Sequence, residues 1–441
     1  MAAPGGGGGR IRARPPSAWA RKRAVPLSAW ARKRAVPLSV SVGFVVVSMQ
    51  LSLWWYDFYS HSPGIWRMPG DFWATFSSSV ELVHGHFSGV YSHATGLVTL
   101  PGVTFLLAPV AGITSGLGWH LGPPAGGFFS PTSWLLAGPV MLALSTVPLF
   151  AIDRIAQRFG LSLGRRVGLA LAEAVVLANV ALLWGHLEDA VSVGLVLYAV
   201  VAAQDRSWPR AASLLGLAIA VQPLAVLAVP AVLAPLGLVG SLRQAWRLVL
   251  PAVIVVILPL VAEPGAVWHA LFLQPNYPSF NHPTPWTSMA PRLSNGGVGA
   301  GPTRALATLG ALAGGAAFCR RRPGAERVLL VIGGAFGLRV LLEVVVADFY
   351  VWPALAICLV VAARRGTFRL GLVAVVAAGE SFLQQQHFGG IWPWWILTVG
   401  LLGLCFVLVL PARRSEARAG APAPAPAPEL ALSAPGSSEP L

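Results

Sequence analysis

Asp71 opens the segment GDFWATFSSSVELVHGHFSGVY, residues 70–91, in which Phe72, Phe76, Leu82 and Val83 recur at near-helical spacing. That pattern predicts an amphipathic helix lying on a membrane surface with a carboxylate at its start. A carboxylate so held can take the proton from a hydroxyl, as a general base does; alternatively it caps the helix, since Asp is a favoured residue there. His186, Glu188 and Asp189 form a second group in GHLEDA, which reads as a tight outer turn between two apolar runs. Turns need polar residues, yet three ionisable groups in four residues exceed that need. The two acids can bind sugar hydroxyls or a cation, although with His186 their spacing matches no recognised metal-ligand pattern.

A third group lies in LQPNYPSFNHPTPWTSMAPRL, residues 273–293. Its prolines stiffen an extended path, while Asn276, Asn281, His282, Trp286 and Arg292 supply donors and an aromatic face. Such mixtures bind sugars, and they also build ordered lids that hold no ligand. Fourth, Arg339 and Glu343 stand one helical turn apart inside an apolar run, where charges are costly and face protein or a watery cavity. Either they neutralise each other, or Arg339 grips a phosphate while Glu343 orients its guanidinium fork. Asp348 and Tyr350, in ADFYVWP, follow at the outer end of the same run. Glu173, Gln222 and Glu380 are isolated polar residues without an assigned role. His387, near Trp392, Trp394 and Trp395, reads as part of an interface belt.

The elements that carry these groups belong to a membrane. Hydrophobic residues are 55% of the chain and charged residues 11%, too few charges to solvate a soluble surface. The net charge of +15 comes largely from Arg residues in short loops between apolar runs, where they orient spans by the positive-inside rule. No soluble basic face exists to carry nucleic acid. Cys319, Cys358 and Cys405 are too widely spaced for a zinc site or a disulfide framework and read as packing residues.

Three parts are expected. Residues 1–35 form a disordered, basic cytoplasmic leader, in which SAWARKRAVPL at 17–27 is repeated at 28–38; it is either a polybasic arm on anionic lipid or a duplication that adds only charge. Residues 36–411 form an all-α, polytopic membrane domain, and 412–441 an Ala/Pro-rich disordered tail. The spans are 36–56, 134–152, 167–184, 190–203, 248–262, 303–318, 328–347, 351–363, 370–382 and 392–410. A bent pair at 211–239 is broken by Pro223, Pro230 and Pro235 and returns to its own side, giving about 11 to 13 spans with both termini cytoplasmic. Residues 97–113 carry Pro101 and Pro109 and read as a re-entrant or interfacial hairpin, because a crossing there would turn Arg154, Arg158, Arg165 and Arg166 outward. The acids then gather on the outer face.

In that order the chain resembles the GT-C superfamily of membrane glycosyltransferases, most of all the actinobacterial polyprenyl-phosphate-mannose-dependent mannosyltransferases. The matching positions are Asp71 followed by Gly85 or Gly89 and Tyr91, then the apolar LPGVTFLLAPVAG at 100–112, then Gly185, His186 and Asp189. GLAIAVQP at 216–223 follows, and Asp348, Tyr350 and Pro353 close the series; the likeness covers residues 38–411. Gln222 stands where many relatives carry Lys. The resemblance implies transfer of a sugar, mannose in the nearest case, from a polyprenyl-phosphate donor to a lipid or glycan acceptor of the cell envelope at the outer face of the plasma membrane. Asp71 would be the general base and Arg339 would stabilise the leaving phosphate, with no cofactor and no required metal. Two other readings stay open: a non-catalytic scaffold of the same fold, and a secondary transporter, to which the broken helix at Pro223 points.

Overall fold

The computed structural model describes residues 27–60, 68–92, 95–119, 132–272, 276–279, 281–321, 323–386 and 390–411. The first 26 residues of the leader, the Ala/Pro-rich tail and His387 lie outside the described residues. The structure is 79% helical with almost no strand, so the all-α class holds. Sixteen α-helices follow in order among the described residues. The first eight are α1 (Leu27–Ser60), α2 (Gly70–Val83), α3 (Gly102–Gly116), α4 (Trp134–Ser145), α5 (Val147–Arg158), α6 (Leu163–Ala178), α7 (Leu187–Gln204) and α8 (Trp208–Val221). Then come α9 (Val229–Leu233), α10 (Gly237–Ala262), α11 (Pro264–Phe272), α12 (Pro302–Cys319), α13 (Ala325–Leu342), α14 (Trp352–Arg365), α15 (Thr367–Leu383) and α16 (Ile391–Val409). Among the described residues, six stretches are long and apolar enough to cross a membrane: Arg34–Trp54, Trp134–Arg158, Leu163–Trp184, Leu187–Gln204, Pro223–Ala262 and Ile391–Val409.

The core runs along two helices. α14 is buried from Trp352 to Ala363, with α6, α13, α15 and α16 packed around it, and α7 is buried along most of its length among α4, α5 and α8. Cys319, Cys358 and Cys405 are buried and free, as packing residues should be. On the outside the pattern inverts. α10 exposes Val249, Ile254 and Val261, a surface that hydrocarbon tolerates better than water.

Charge divides the bundle by its ends. At the end where α5, α7 and α14 finish and α6 and α13 begin, Arg166 holds Asp153 at 2.7 and 3.0 Å and Arg158 holds Asp205 at 2.5 Å. Arg364 pairs with Glu326 at 2.8 Å there, and Arg365 joins it. Glu188 and Asp189 lie at the opposite end of α7 and Arg339 near the opposite end of α13, with His186 just before α7 and Tyr350 just before α14.

Proline and glycine set the departures from straight spans. Gln222 is extended (φ −146°, ψ 114°) because Pro223 excludes the helical region from the residue before it, and α8 stops there. The chain then passes through 3₁₀ turns and the short α9 before α10 begins at Gly237. Two expectations need correction. Residues 97–113 do not form a hairpin: a single helix, α3, runs from Gly102 to Gly116, and its 15 residues reach only about 22 Å. The span expected at 248–262 starts earlier, since α10 begins at Gly237 and carries Arg243 and Arg247 within it.

Gly216 shows how closely α8 and α10 approach: a Cβ built on it would lie 2.1 Å from the Arg247 carbonyl oxygen. Gly216→Ala should therefore destabilise the protein by about 1–3 kcal/mol through overpacking. Gly371→Ala, where a Cβ meets nothing within 4 Å, should leave stability unchanged or raise it by up to about 1 kcal/mol. Thermal unfolding of both variants in detergent checks the contrast.

Candidate functional site

The site begins at a glycine. Gly185 follows the π-helical stretch Asn179–Trp184 and adopts φ +80°, the left-handed region; a Cβ on it would stand 2.6 Å from the Phe72 Cβ. With no side chain there, the start of α2 docks against the turn between α6 and α7. α2 forms as predicted, but its apolar face meets protein and not a membrane surface: Phe72 and Phe76 are fully buried, and Phe72 stacks on Phe76 and meets Trp134 edge-on. Asp71 does not cap α2 either, since the capping position is Pro69 and no side-chain cap forms.

Asp71 turns instead to His186. The imidazole Nε2 lies 2.8 Å from Asp71 Oδ2, while Nδ1 lies 2.5 Å from Glu188 Oε1 and 3.7 Å from Asp189 Oδ2. The ring rests flat on Phe349, with centroids 3.4 Å apart. Burial alone would lower the basicity of His186, but Glu188 and Asp71 outweigh it and hold its pKa well above the usual range. That favours a ring protonated on both nitrogens and donating to both acids. Glu188 and Asp189 are not in an exposed turn, as their sequence suggested. They form the first turn of α7 and are each only 5% exposed, where the helix amino terminus favours negative charge. Gln222 Nε2 donates to Asp189 Oδ1 at 3.1 Å, and Thr99 Oγ1 donates to Gln222 Oε1 at 3.3 Å. Asp71 itself is about half exposed, at 48% of its side chain, so its second oxygen is accessible.

These groups make the acidic wall of a cavity of about 1420 Å³ that also receives Arg339, Arg304, Tyr350, Asn281 and His269. Asp71 and Arg339 thus line one cavity. Arg339 lies over the Tyr350 ring, 4.7 Å from its centroid. Behind it, Glu343 is fully buried and accepts from both Arg339 (3.2 Å) and Arg304 (Nε at 2.9 and 3.1 Å). Two guanidinium groups share one carboxylate, which leaves one positive charge on this wall. The expected Arg339–Glu343 pair exists, but α13 ends at Leu342, so Glu343 sits at the helix terminus and not within a span. It does not line the cavity.

Three other candidates are also absent from the cavity lining. His282 is stacked on Trp394 at 3.9 Å and lies 2.8 Å from the Gln384 carbonyl and 3.3 Å from Asp348 Oδ1; both His282 and Asp348 are buried. Trp286 Nε1 donates to the Leu341 carbonyl at 2.8 Å. These residues fasten the loop between α11 and α12, whose strand β1 (His282–Pro283) pairs antiparallel with β2 (Val345–Val346). Their polarity satisfies backbone and buried groups instead of a ligand. Arg304 is the residue that sequence reasoning missed. Its signal was sidedness, since on the expected orientation an Arg at that end of the 303–318 span breaks the positive-inside pattern.

Arg304→Met should leave the buried Glu343 paired with Arg339 alone and lower stability by about 1–3 kcal/mol through the lost charge-assisted hydrogen bonds. The double variant Arg304→Met/Glu343→Met, which also strips Arg339 of its carboxylate, should be less stable still, as read from thermal unfolding midpoints in detergent.

No family model matches the chain, and comparison with curated proteins finds no match.

Proposed function

We propose that this chain is a polytopic membrane glycosyltransferase of GT-C type, which moves a sugar from a polyprenyl-phosphate donor to a cell-envelope acceptor at the outer face of the plasma membrane. The observation that carries the proposal is a single cavity lined by Asp71 and by Arg339 with Arg304. Glycosyl transfer from a lipid monophosphate needs both: a base for the incoming hydroxyl and fixed positive charge for the leaving phosphate. The arrangement favours that division of labour. Asp71 has one oxygen held by His186 and the other accessible, so it can accept the hydroxyl proton as the anomeric carbon gains oxocarbenium character. Arg339, flattened against Tyr350 and tied to Glu343, offers the phosphate a guanidinium that needs little reorganisation.

The charged ends of the bundle support an orientation with both termini cytoplasmic and the cavity outward. The Arg residues paired with Asp153, Asp205 and Glu326 gather at the end opposite the cavity, as the positive-inside rule requires of a cytoplasmic face. Mannose as the sugar rests on the sequence resemblance alone.

Purified protein in lipid vesicles, given radiolabelled polyprenyl-phosphate mannose and a cell-envelope lipid extract, should form a labelled glycoside. Asp71→Asn should cut that rate by about 10²–10⁴ while the protein stays folded. Full activity in this variant would move the base elsewhere on the wall, and flux of substrate without any glycoside would identify a transporter instead.

A further inference from the structure

We infer that the acidic wall is a metal site: Nδ1 of His186 with the carboxylates of Glu188 and Asp189 holds one divalent first-row ion, of the Mn²⁺ or Zn²⁺ kind. One ligand atom from each residue can be chosen so that all lie within 4.8 Å of one another, close to twice a metal–ligand distance of about 2.2 Å. A single ion can therefore touch all three after small side-chain adjustments. The group has one imidazole nitrogen and two carboxylates and no thiol, a donor set that suits Mn²⁺ or Zn²⁺ better than softer ions.

The second observation is unmet bonding capacity. Glu188 Oε2 and Asp189 Oδ2 are buried without a hydrogen-bond partner among the described residues, although both acids border the cavity. Leaving a buried carboxylate oxygen unsatisfied is costly. The other oxygen of each is already committed, Glu188 Oε1 to His186 and Asp189 Oδ1 to Gln222. Glu173, Glu380 and Asp348 also carry an unpartnered buried oxygen, but none of the three lines the cavity. Glu188 and Asp189 instead adjoin one imidazole at the cavity wall, with Asp71 on its far side.

The third observation is the far side of the ring. A histidine that binds a metal through one nitrogen commonly gives its other N–H to a carboxylate, which fixes the ring and raises its basicity. Asp71 stands in that place, 2.8 Å from Nε2, and Phe349 holds the ring plane. The ion would take the position of the Nδ1 proton. Its remaining coordination positions would face the cavity, open to an oxygen ligand. None of this rests on the transfer reading.

The test uses the full chain, purified in detergent, stripped with chelator and titrated with Mn²⁺ alone. The paramagnetic signal of free Mn²⁺ reports binding without any substrate. One ion per chain should bind saturably, and Zn²⁺ should displace it. Glu188→Gln and Asp189→Asn should each remove saturable binding, and Asp71→Asn should weaken it by about tenfold. Asp205→Asn, at the other end of the bundle, should bind as the parent does, and gel filtration of every variant separates lost binding from lost folding. Absence of saturable Mn²⁺ binding by the folded parent, or binding unchanged in folded Glu188→Gln and Asp189→Asn, overturns the assignment and leaves a proton on Nδ1 as the occupant. Because no sugar donor is present, this result is independent of the transfer assay.

Discussion

One imidazole ties three separate parts of the chain together at the cavity. His186 reaches Asp71 at the start of α2, Glu188 in the first turn of α7, and the face of Phe349 between α13 and α14. The contact is possible only because Gly185 leaves room for Phe72 to approach and adopts a left-handed turn. A residue with a side chain at that position would push α2 away and with it the only acid on the cavity wall that α2 contributes. Local backbone freedom thus controls a long-range electrostatic arrangement. The ring in turn fixes Asp71, whose exposure alone would leave its side chain free to choose among rotamers.

Groups of both charges give the cavity its chemical character. The acidic wall is built at a helix amino terminus, where the aligned peptide dipoles favour carboxylates. Two Arg residues of the lining converge on Glu343, which is buried completely and accepts from the Val344 N–H as well. A buried carboxylate with several charge-assisted partners resists displacement, so it acts as a post that aims both guanidinium groups. The groups that meet a ligand differ from those that aim them, and the distinction is one of position: Arg304 and Arg339 border open space, while Glu343 does not.

The loop between α11 and α12 shows how polar residues inside an apolar bundle can serve the fold alone. His282, Thr284 and Trp286 each bond to a backbone carbonyl, His282 also stacks on Trp394, and Asp348 stands 3.3 Å from His282. Thr284 and Thr287 both reach the Val344 carbonyl, just past the end of α13. Their work is to satisfy carbonyls that a helix terminus leaves open. Asn281, in the same loop, borders the cavity. Neighbours in sequence can therefore split between lining a site and anchoring its rim.

Much was determined by the sequence without a structure. Apolar runs and Arg-rich gaps specified helices, their approximate ends and the break at Pro223, because backbone polar groups in an apolar setting must pair within their own helix. Asp71, His186, Asp189, Arg339 and Tyr350 stood out as ionisable or aromatic groups in places that such a chain has reason to avoid. What the sequence left open was distance. It offered Asp71 as a helix cap, Glu188 and Asp189 as an exposed turn, and His282 and Asp348 as ligand contacts, all choices consistent with residue type alone. The tertiary structure decided each by bringing α2 onto the α6–α7 turn and the α11–α12 loop onto β2, and it added Arg304, separated from Glu343 by a whole helix. Hydrogen bonds and ion pairs act over about 3 Å, and which groups come that close depends on how helices pack, a property of the assembled bundle and not of any one segment.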